Sequence, residues 1–208
     1  MQQVNSETRE IPAPVRKIVE DLQKGNGRFV IGMRIGNLTE TRRYEVAETQ
    51  HPSATILACS DSRVAPEFLF DRGLGEIYVV RASGNVAIGV TLGSLEHGCD
   101  QLGTPLLLVL GHTQCGAVTA VCTGQPLPPH LQKVTTQLQP LVDAVIKERN
   151  LKPKDLVTYV VRAHVENLVK QLPQKSEVLR KLVQAGKLTI LGGIYHLDSG
   201  EVEFLCKL

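Results

Sequence analysis

The stretch TPLLLVLGHTQCGAV, Thr104–Val118, decides how the rest of the chain is read. From Pro105 to Leu110 it is apolar without alternation, the pattern of a strand buried on both faces, as in parallel sheets. His112 and Cys115 follow, three residues apart, before Gly116 and a run of small apolar residues that opens a helix. Strand, turn and helix in that order place both side chains at the carboxyl end of a parallel strand, where open α/β sheets gather their ligands. A thiol in the first turn of the following helix is favoured as thiolate by the helix dipole.

Working outward, SATILAC ending at Cys59 and EIYVVRA ending at Ala82 repeat the apolar strand signature. NVAIGVTLGSLEHGCDQLG, between the second and third runs, has helical period and reads as a crossover helix. The expected fold class is α/β: about four parallel strands plus a C-terminal antiparallel strand, flanked by helices and preceded by an N-terminal helical arm. In the arm, PAPVRKIVEDLQKGN sets Val15, Ile18, Val19 and Leu22 at helical spacing and stops at Gly25. Irregular chain and a second short helix in TRRYEVAETQH lead to Pro52. Beyond Val118 come a Pro-rich loop, TGQPLPPH, helices through Lys147 and from about Pro153 to Leu172, and another from near Ser176. The closing hairpin, KLTILGGIYHLDSGEVEFL, turns at Asp198-Ser199-Gly200. No repeat or linker divides the chain, so residues 1–208 read as a single domain with 1–50 as its arm.

Composition narrows the classes of function. Lys and Arg total 23 against 21 acids, a net charge of +2, and the basic residues are scattered, so neither nucleic acid nor a membrane surface is an expected partner. No segment nears the about 18 unbroken apolar residues of a membrane span, and MQQVNSETRE lacks the pattern of a secretory signal. The expected location is the cytoplasm, where five cysteines read as thiols, metal ligands or catalytic groups rather than a disulfide framework.

If the chain stays extended past the first strand, Cys59, Asp61 and Arg63 face one way. Cys59, His112 and Cys115 then offer two thiolates and an imidazole, the three protein ligands of a catalytic zinc site with its fourth position open. Cys99, Cys122 and Cys206 lack such company and read as buried or inert thiols. His51, His130, His164 and His196 read as surface or structural residues.

These motifs, CSDSR at Cys59–Arg63, VVRASGN at Val79–Asn85 and GHTQCGAV at Gly111–Val118, resemble those of the beta-class carbonic anhydrases. GNGRF near the N-terminus, LGSLEHGCDQLGTP and GKLTILGGIYHLDSGEVEF extend the resemblance over nearly the whole chain. It implies one zinc per chain on Cys59, His112 and Cys115, with Asp61 and Arg63 as the catalytic pair that governs the fourth position. It also implies a substrate pocket with Gly116 beside the last ligand, Tyr78 on the wall, and Gln50 supplied by the neighbouring subunit of a homodimer or higher even-numbered assembly. Ser83 and His97 depart from a commonly apolar residue and a commonly tyrosine residue, making the pocket more polar, and His97 raises the question of a proton relay. The implied reaction is reversible hydration of carbon dioxide to bicarbonate and a proton by zinc-bound hydroxide. Two thiolates cancel the metal's charge, so activity should be greatest on the alkaline side. The chain has no tryptophan, which removes a member of the bicarbonate-binding triad of the allosterically inhibited type and favours an open site with water on zinc. The competing readings are hydrolysis of carbonyl sulfide or carbon disulfide on the same zinc, a non-catalytic zinc-stabilised binding module, and thiol redox chemistry, which the lack of any CxxC disfavours.

Overall fold

The computed structural model describes residues 11–148 and 153–205. Strands β1 (Ala54–Ala58), β2 (Ile77–Arg81), β3 (Leu106–His112), β4 (Thr189–Tyr195) and β5 (Val202–Phe204) form one sheet in the order β2-β1-β3-β4-β5. The first four are mutually parallel and β5 runs antiparallel to β4, as the sequence leads one to expect. Every residue of β1 and of β3 is buried, which is why neither strand alternates polar and apolar residues. Edge strands β2 and β5 are only partly covered.

Helix α1 (Ala13–Val30) and the short α3 (Pro66–Leu69) cover one face, packing Val15, Val19, Leu22, Leu69 and Phe70 onto Ile56, Leu108 and Leu110. The other face carries α4 (Val90–Glu96), α5 (Gly116–Cys122), α6 (Gln132–Glu148), α7 (Pro153–Lys175) and α8 (Glu177–Gln184). There Val160, Val161, Val165 and Leu168 of α7 meet Leu57, Leu107 and Val109. The remaining helix, α2 (Glu40–Glu45), has no buried residue; Thr39 caps it by accepting from the Arg42 N–H at 3.2 Å.

Three expectations are corrected. The crossover segment is helical only from Val90, because Gly89 takes a left-handed φ of 50° just before it, and it ends in a π-helical turn, His97–Gln101. Helix α7 continues past Leu172 through Pro173 to Lys175, and Ser176 then caps α8 by accepting from the Leu179 N–H at 3.1 Å. Helix α1 does not stop at Gly25 but runs on to Val30. Gly25 is there for close approach: a Cβ would overlap the carbonyl of Phe70 at the end of α3. Next to it Asn26, also buried, donates from Nδ2 to the carbonyls of Leu69 (3.1 Å) and Gly200 (2.9 Å) and accepts at Oδ1 from the Val202 N–H (2.8 Å). One amide thus joins the arm, α3 and the terminal hairpin.

Gly25 and Gly27 make a controlled pair. Gly25→Ala drives a methyl into backbone and should lose about 3 kcal/mol or more. Gly27→Ala, where a Cβ meets no atom within 4 Å, should gain roughly 0.5–1 kcal/mol from the helix. Urea denaturation of both variants is the check, and equal effects would refute the packing assignment.

Candidate metal centre

The chain leaves β1 for β2 on one side and returns to β3 on the other, so the crevice above the carboxyl ends of β1 and β3 is a topological switch point. Cys59 is the first residue past β1 and His112 the last of β3, on neighbouring parallel strands. Cys115 stands at the N-cap of α5, three residues on. The left-handed Gln114, at φ 54°, turns the intervening loop back on itself. The three candidate ligand atoms lie within 4.8 Å of one another, and all three residues are buried.

The loop carrying the second and third ligands is pinned from below. Thr113 donates its N–H to the Tyr195 carbonyl (2.9 Å) and accepts at Oγ1 from the Leu197 N–H (3.0 Å). Nδ1 of His112 lies 2.9 Å from the Thr113 carbonyl. A carbonyl only accepts, so Nδ1 carries the hydrogen and Nε2 keeps its lone pair. Nε2 is buried without a hydrogen-bond partner, beside two sulfurs. An orphaned imidazole lone pair and two thiols in such proximity fit the donor set of a zinc site with a fourth position left over.

Without metal the two sulfurs share their protons unequally. The Cys59 thiol is pushed down, chiefly by the S–H of Cys115 and further by the His112 side chain and the backbone N–H groups of Asp61 and Gly84, against the cost of burial. Cys115 is pushed up by the Cys59 sulfur and by burial, although the N–H groups of Val118 and Ala117 face it. The helix terminus thus acts on Cys115 as expected, but Cys59 takes the charge. Cys99 and Cys122 are both pushed up to about 11 by burial and stand outside the cluster, while Cys206 lies outside the described residues.

Asp61 and Arg63 do meet, by a different route from the extended chain expected. The chain turns after Asp61, with the Val64 N–H on the Asp61 carbonyl at 2.9 Å. Arg63 then donates to Oδ1 from its backbone N–H (3.0 Å) and Nε (2.9 Å), and to Oδ2 from Nη2 (2.8 Å). This two-pronged clamp holds the Asp61 carboxyl well below the usual carboxylate range. Asp61 therefore stays ionised through neutral and mildly acidic pH, and the clamp weakens only as pH falls into strong acid. Arg81 is a residue that reading the sequence missed: it donates from Nε to the Cys59 carbonyl (3.0 Å) and from Nη2 to that of Asp61 (2.7 Å), holding the loop's backbone. It lies inside the quoted VVRASGN, yet a strand pattern cannot show that an arginine at the end of β2 reaches across to the loop after β1.

Of the expected pocket residues, Ser83 opens the turn Ser83–Asn85 beside Cys59, and Gly116 follows the last ligand, exposed. The other three are elsewhere. Tyr78 pairs with Thr55, four residues before Cys59, hence roughly 13 Å down the strand at about 3.3 Å per residue. His97 is exposed and stacks on Tyr78, ring centroids 5.9 Å apart. Gln50 is exposed ahead of β1, near where the Ser53 N–H joins the Glu76 carbonyl.

Residues 54–202 match the family model described as Carbonic anhydrase. The chain is 35% identical over 192 residues to the carbonic anhydrase of Mycolicibacterium smegmatis, covering 90% of this chain and 91% of that one. It is 36% identical over 184 residues to carbonic anhydrase 2 of Mycobacterium tuberculosis, covering 86% and 87%. Its fold is similar to the crystal structure of the beta-carbonic anhydrase CafA of Aspergillus fumigatus, with a TM-score of 0.71 and 25% identity over 93% of this chain and 89% of that one. The chain belongs to the beta-class carbonic anhydrase family, whose members use zinc, and the Cys59–His112–Cys115 group is positioned to bind one such ion.

With Cys59 pushed down and Cys115 pushed up, zinc uptake near pH 7 should release about one proton per ion, chiefly from Cys115. Calorimetry in buffers of different ionisation enthalpy measures this, and release of two protons would show both thiols protonated beforehand. Elemental analysis should find about one zinc per chain, and Cys59→Ser and Cys115→Ser should each lose it.

Proposed function

We propose that the protein catalyses reversible hydration of carbon dioxide to bicarbonate and a proton. The observation that carries the reading is a carboxylate held ionised by an arginine next to a buried pocket of two thiols and an imidazole, in a chain of this family. Zinc, when bound there, acidifies water and so provides the nucleophile. The chain's own part is positional. Oδ1 of Asp61 already accepts two N–H groups and Oδ2 only one, so Oδ2 has a free lone pair with which to take the reacting water's hydrogen and aim its oxygen at carbon. With Arg63 on both carboxylate oxygens, Asp61 would be kept from ligating zinc, the open arrangement. A non-catalytic module would instead use Asp61 as a constant fourth ligand. The relatives' names favour carbon dioxide over carbonyl sulfide or carbon disulfide.

The pocket is completed by a second copy, in a homodimer or higher even-numbered assembly. Tyr78 lies four residues down the strands from the ligand end, with His97 against it, and Gln50 precedes β1, which supports a role for these three in a neighbour's site rather than their own. Outward-facing apolar side chains elsewhere on the chain support association of copies: Ile31 (70% exposed), Ile35 (67%), Met33, Leu38 and Phe68. The loop bearing Ile35 is itself rigidly held, since buried Asp71 accepts from the N–H groups of Ile35 (3.1 Å) and Gly36 (3.0 Å) and from Nε of Arg28. Thiol ligands outside any disulfide suit the reducing cytoplasm, where we place the reaction.

Arg63→Ala should keep zinc and lower turnover by about 10–100-fold, since outer groups that orient a metal site typically matter to that extent. Stopped-flow hydration assays with metal analysis decide it; unchanged turnover would remove Arg63 from the mechanism. Ile35→Asp should shift the protein toward monomer in sedimentation velocity and reduce hydration in step, with zinc retained. A fully active monomer would refute the shared pocket.

A further inference from the structure

Arg81 closes β2 at the edge of the sheet and is exposed, so packing does not account for an arginine there. Its guanidinium reaches two carbonyls two residues apart, that of Cys59 from Nε (3.0 Å) and that of Asp61 from Nη2 (2.7 Å). We propose that Arg81 is a positioning residue for carbon dioxide hydration: it fixes the place of Asp61 relative to Cys59, and so where the Asp61 carboxylate meets the reacting water. The proposal rests on the function read above.

Hydrogen bonding within the turn after Cys59 is local. Arg63 donates to the Asp61 carboxylate from its backbone N–H, Nε and Nη2, and the Val64 N–H donates to the Asp61 carbonyl. These bonds make Asp61 and Arg63 one unit, but none of them ties that unit to the sheet. Val64 is buried and seats the far end. At the near end regular strand pairing runs out: the Ser60 N–H still meets the Ala82 carbonyl at 3.3 Å, and beyond it the neighbouring chain turns away at Ser83–Asn85. Arg81 supplies the next tie, at the Asp61 carbonyl.

The two carbonyls are the right groups to hold, because a peptide plane contains the Cα on its carbonyl side. The Cys59 carbonyl shares its plane with the Cα of Cys59 and with the Ser60 N–H, so Arg81 holds one edge of that plane and Ala82 the other. The Asp61 carbonyl shares its plane with the Cα of Asp61 and is held by Arg81 and Val64 together. One rigid, planar, permanently charged group thus spans from the α-carbon of a metal ligand to the α-carbon of the aspartate. The bonds from Arg63 then set the carboxylate on that α-carbon. A lysine ammonium, a single point on a flexible stem, would touch these carbonyls without fixing their spacing.

The test is a double-mutant cycle on full-length, zinc-loaded protein, read as kcat/KM for carbon dioxide by stopped flow. Arg81→Ala should lower it about 10–100-fold, the range typical of outer groups around a metal site, with zinc content and assembly unchanged. In an Asp61→Asn background the same substitution should lower it less than about twofold, because a residue acting through Asp61 then has nothing left to position. Arg81→Lys should lose less than Arg81→Ala, and its loss too should vanish in the Asp61→Asn background. If Asp61→Asn is too slow for stopped flow, oxygen-18 exchange between carbon dioxide and water reads the same cycle. Nitrogen-15 spectra of the metal-free protein give a readout apart from turnover. The Arg63 Nε–H signal should keep its parent position in Arg81→Ala, since the turn is self-contained, while the amide signals of Ser60, Asp61 and Ser62 move. Equal fold losses in the two backgrounds overturn the proposal, as do full activity of Arg81→Ala and a fall in activity matched by loss of zinc. A shifted Arg63 Nε–H signal overturns it as well, because Arg81 would then be supporting the clamp rather than placing it. Should Arg81→Ala not fold, the Arg81→Lys cycle and spectra decide. A zinc-loaded parent without hydration activity would overturn the proposed function itself, whereas additive losses in an active parent overturn this proposal alone.

Discussion

Two sulfurs and an imidazole nitrogen within 4.8 Å of one another, all buried, repel, compete for protons and leave lone pairs unsatisfied. Holding them there is the constraint on which the rest of the structure depends. Each donor sits at the end of a rigid element: Cys59 past β1, His112 closing β3 and Cys115 capping α5. Each is also tied from behind. Arg81 grips the backbone after Cys59, Thr113 orients His112, and Oγ1 of Thr119 donates to the Cys115 carbonyl at 2.9 Å. Parallel pairing of β1 with β3 makes the geometry available, because it brings two strand ends side by side with no connection crossing above them.

The charged pair beside this cluster works on the same principle. An aspartate one residue removed from a metal ligand would itself be a ready fourth ligand. Three N–H groups from a single residue occupy its carboxylate, and the arginine supplying them carries a permanent charge. The consequence is electrostatic and geometric at once: the carboxylate stays ionised, and one oxygen retains a single free direction.

Placement along the strands divides the expected pocket residues into two groups. Ser83 and Gly116 lie at the carboxyl ends with the ligands, whereas Tyr78 lies near the opposite end of β2, with His97 stacked on it. Elsewhere on the chain Ile31, Ile35 and Phe68 turn large apolar side chains outward. Apolar area of this kind is what association of copies would cover.

The sequence by itself determined the strands and the ligands. Short unbroken apolar runs separated by a segment of helical period read as strands buried on both faces, and two thiols and an imidazole at their ends offer the donor set of a zinc site. It did not determine where α1 ends, because Gly25 reads as a helix stop until the Phe70 carbonyl is seen against it. Nor did it reveal how Asp61 meets Arg63, through a turn rather than along an extended chain. Arg81 acts through backbone carbonyls remote in sequence, and a carbonyl has no letter of its own in the sequence. Residue identity conveys which chemistry is available. Only tertiary structure decides which backbone groups aim it, since those directions are set by packing between segments far apart in the chain.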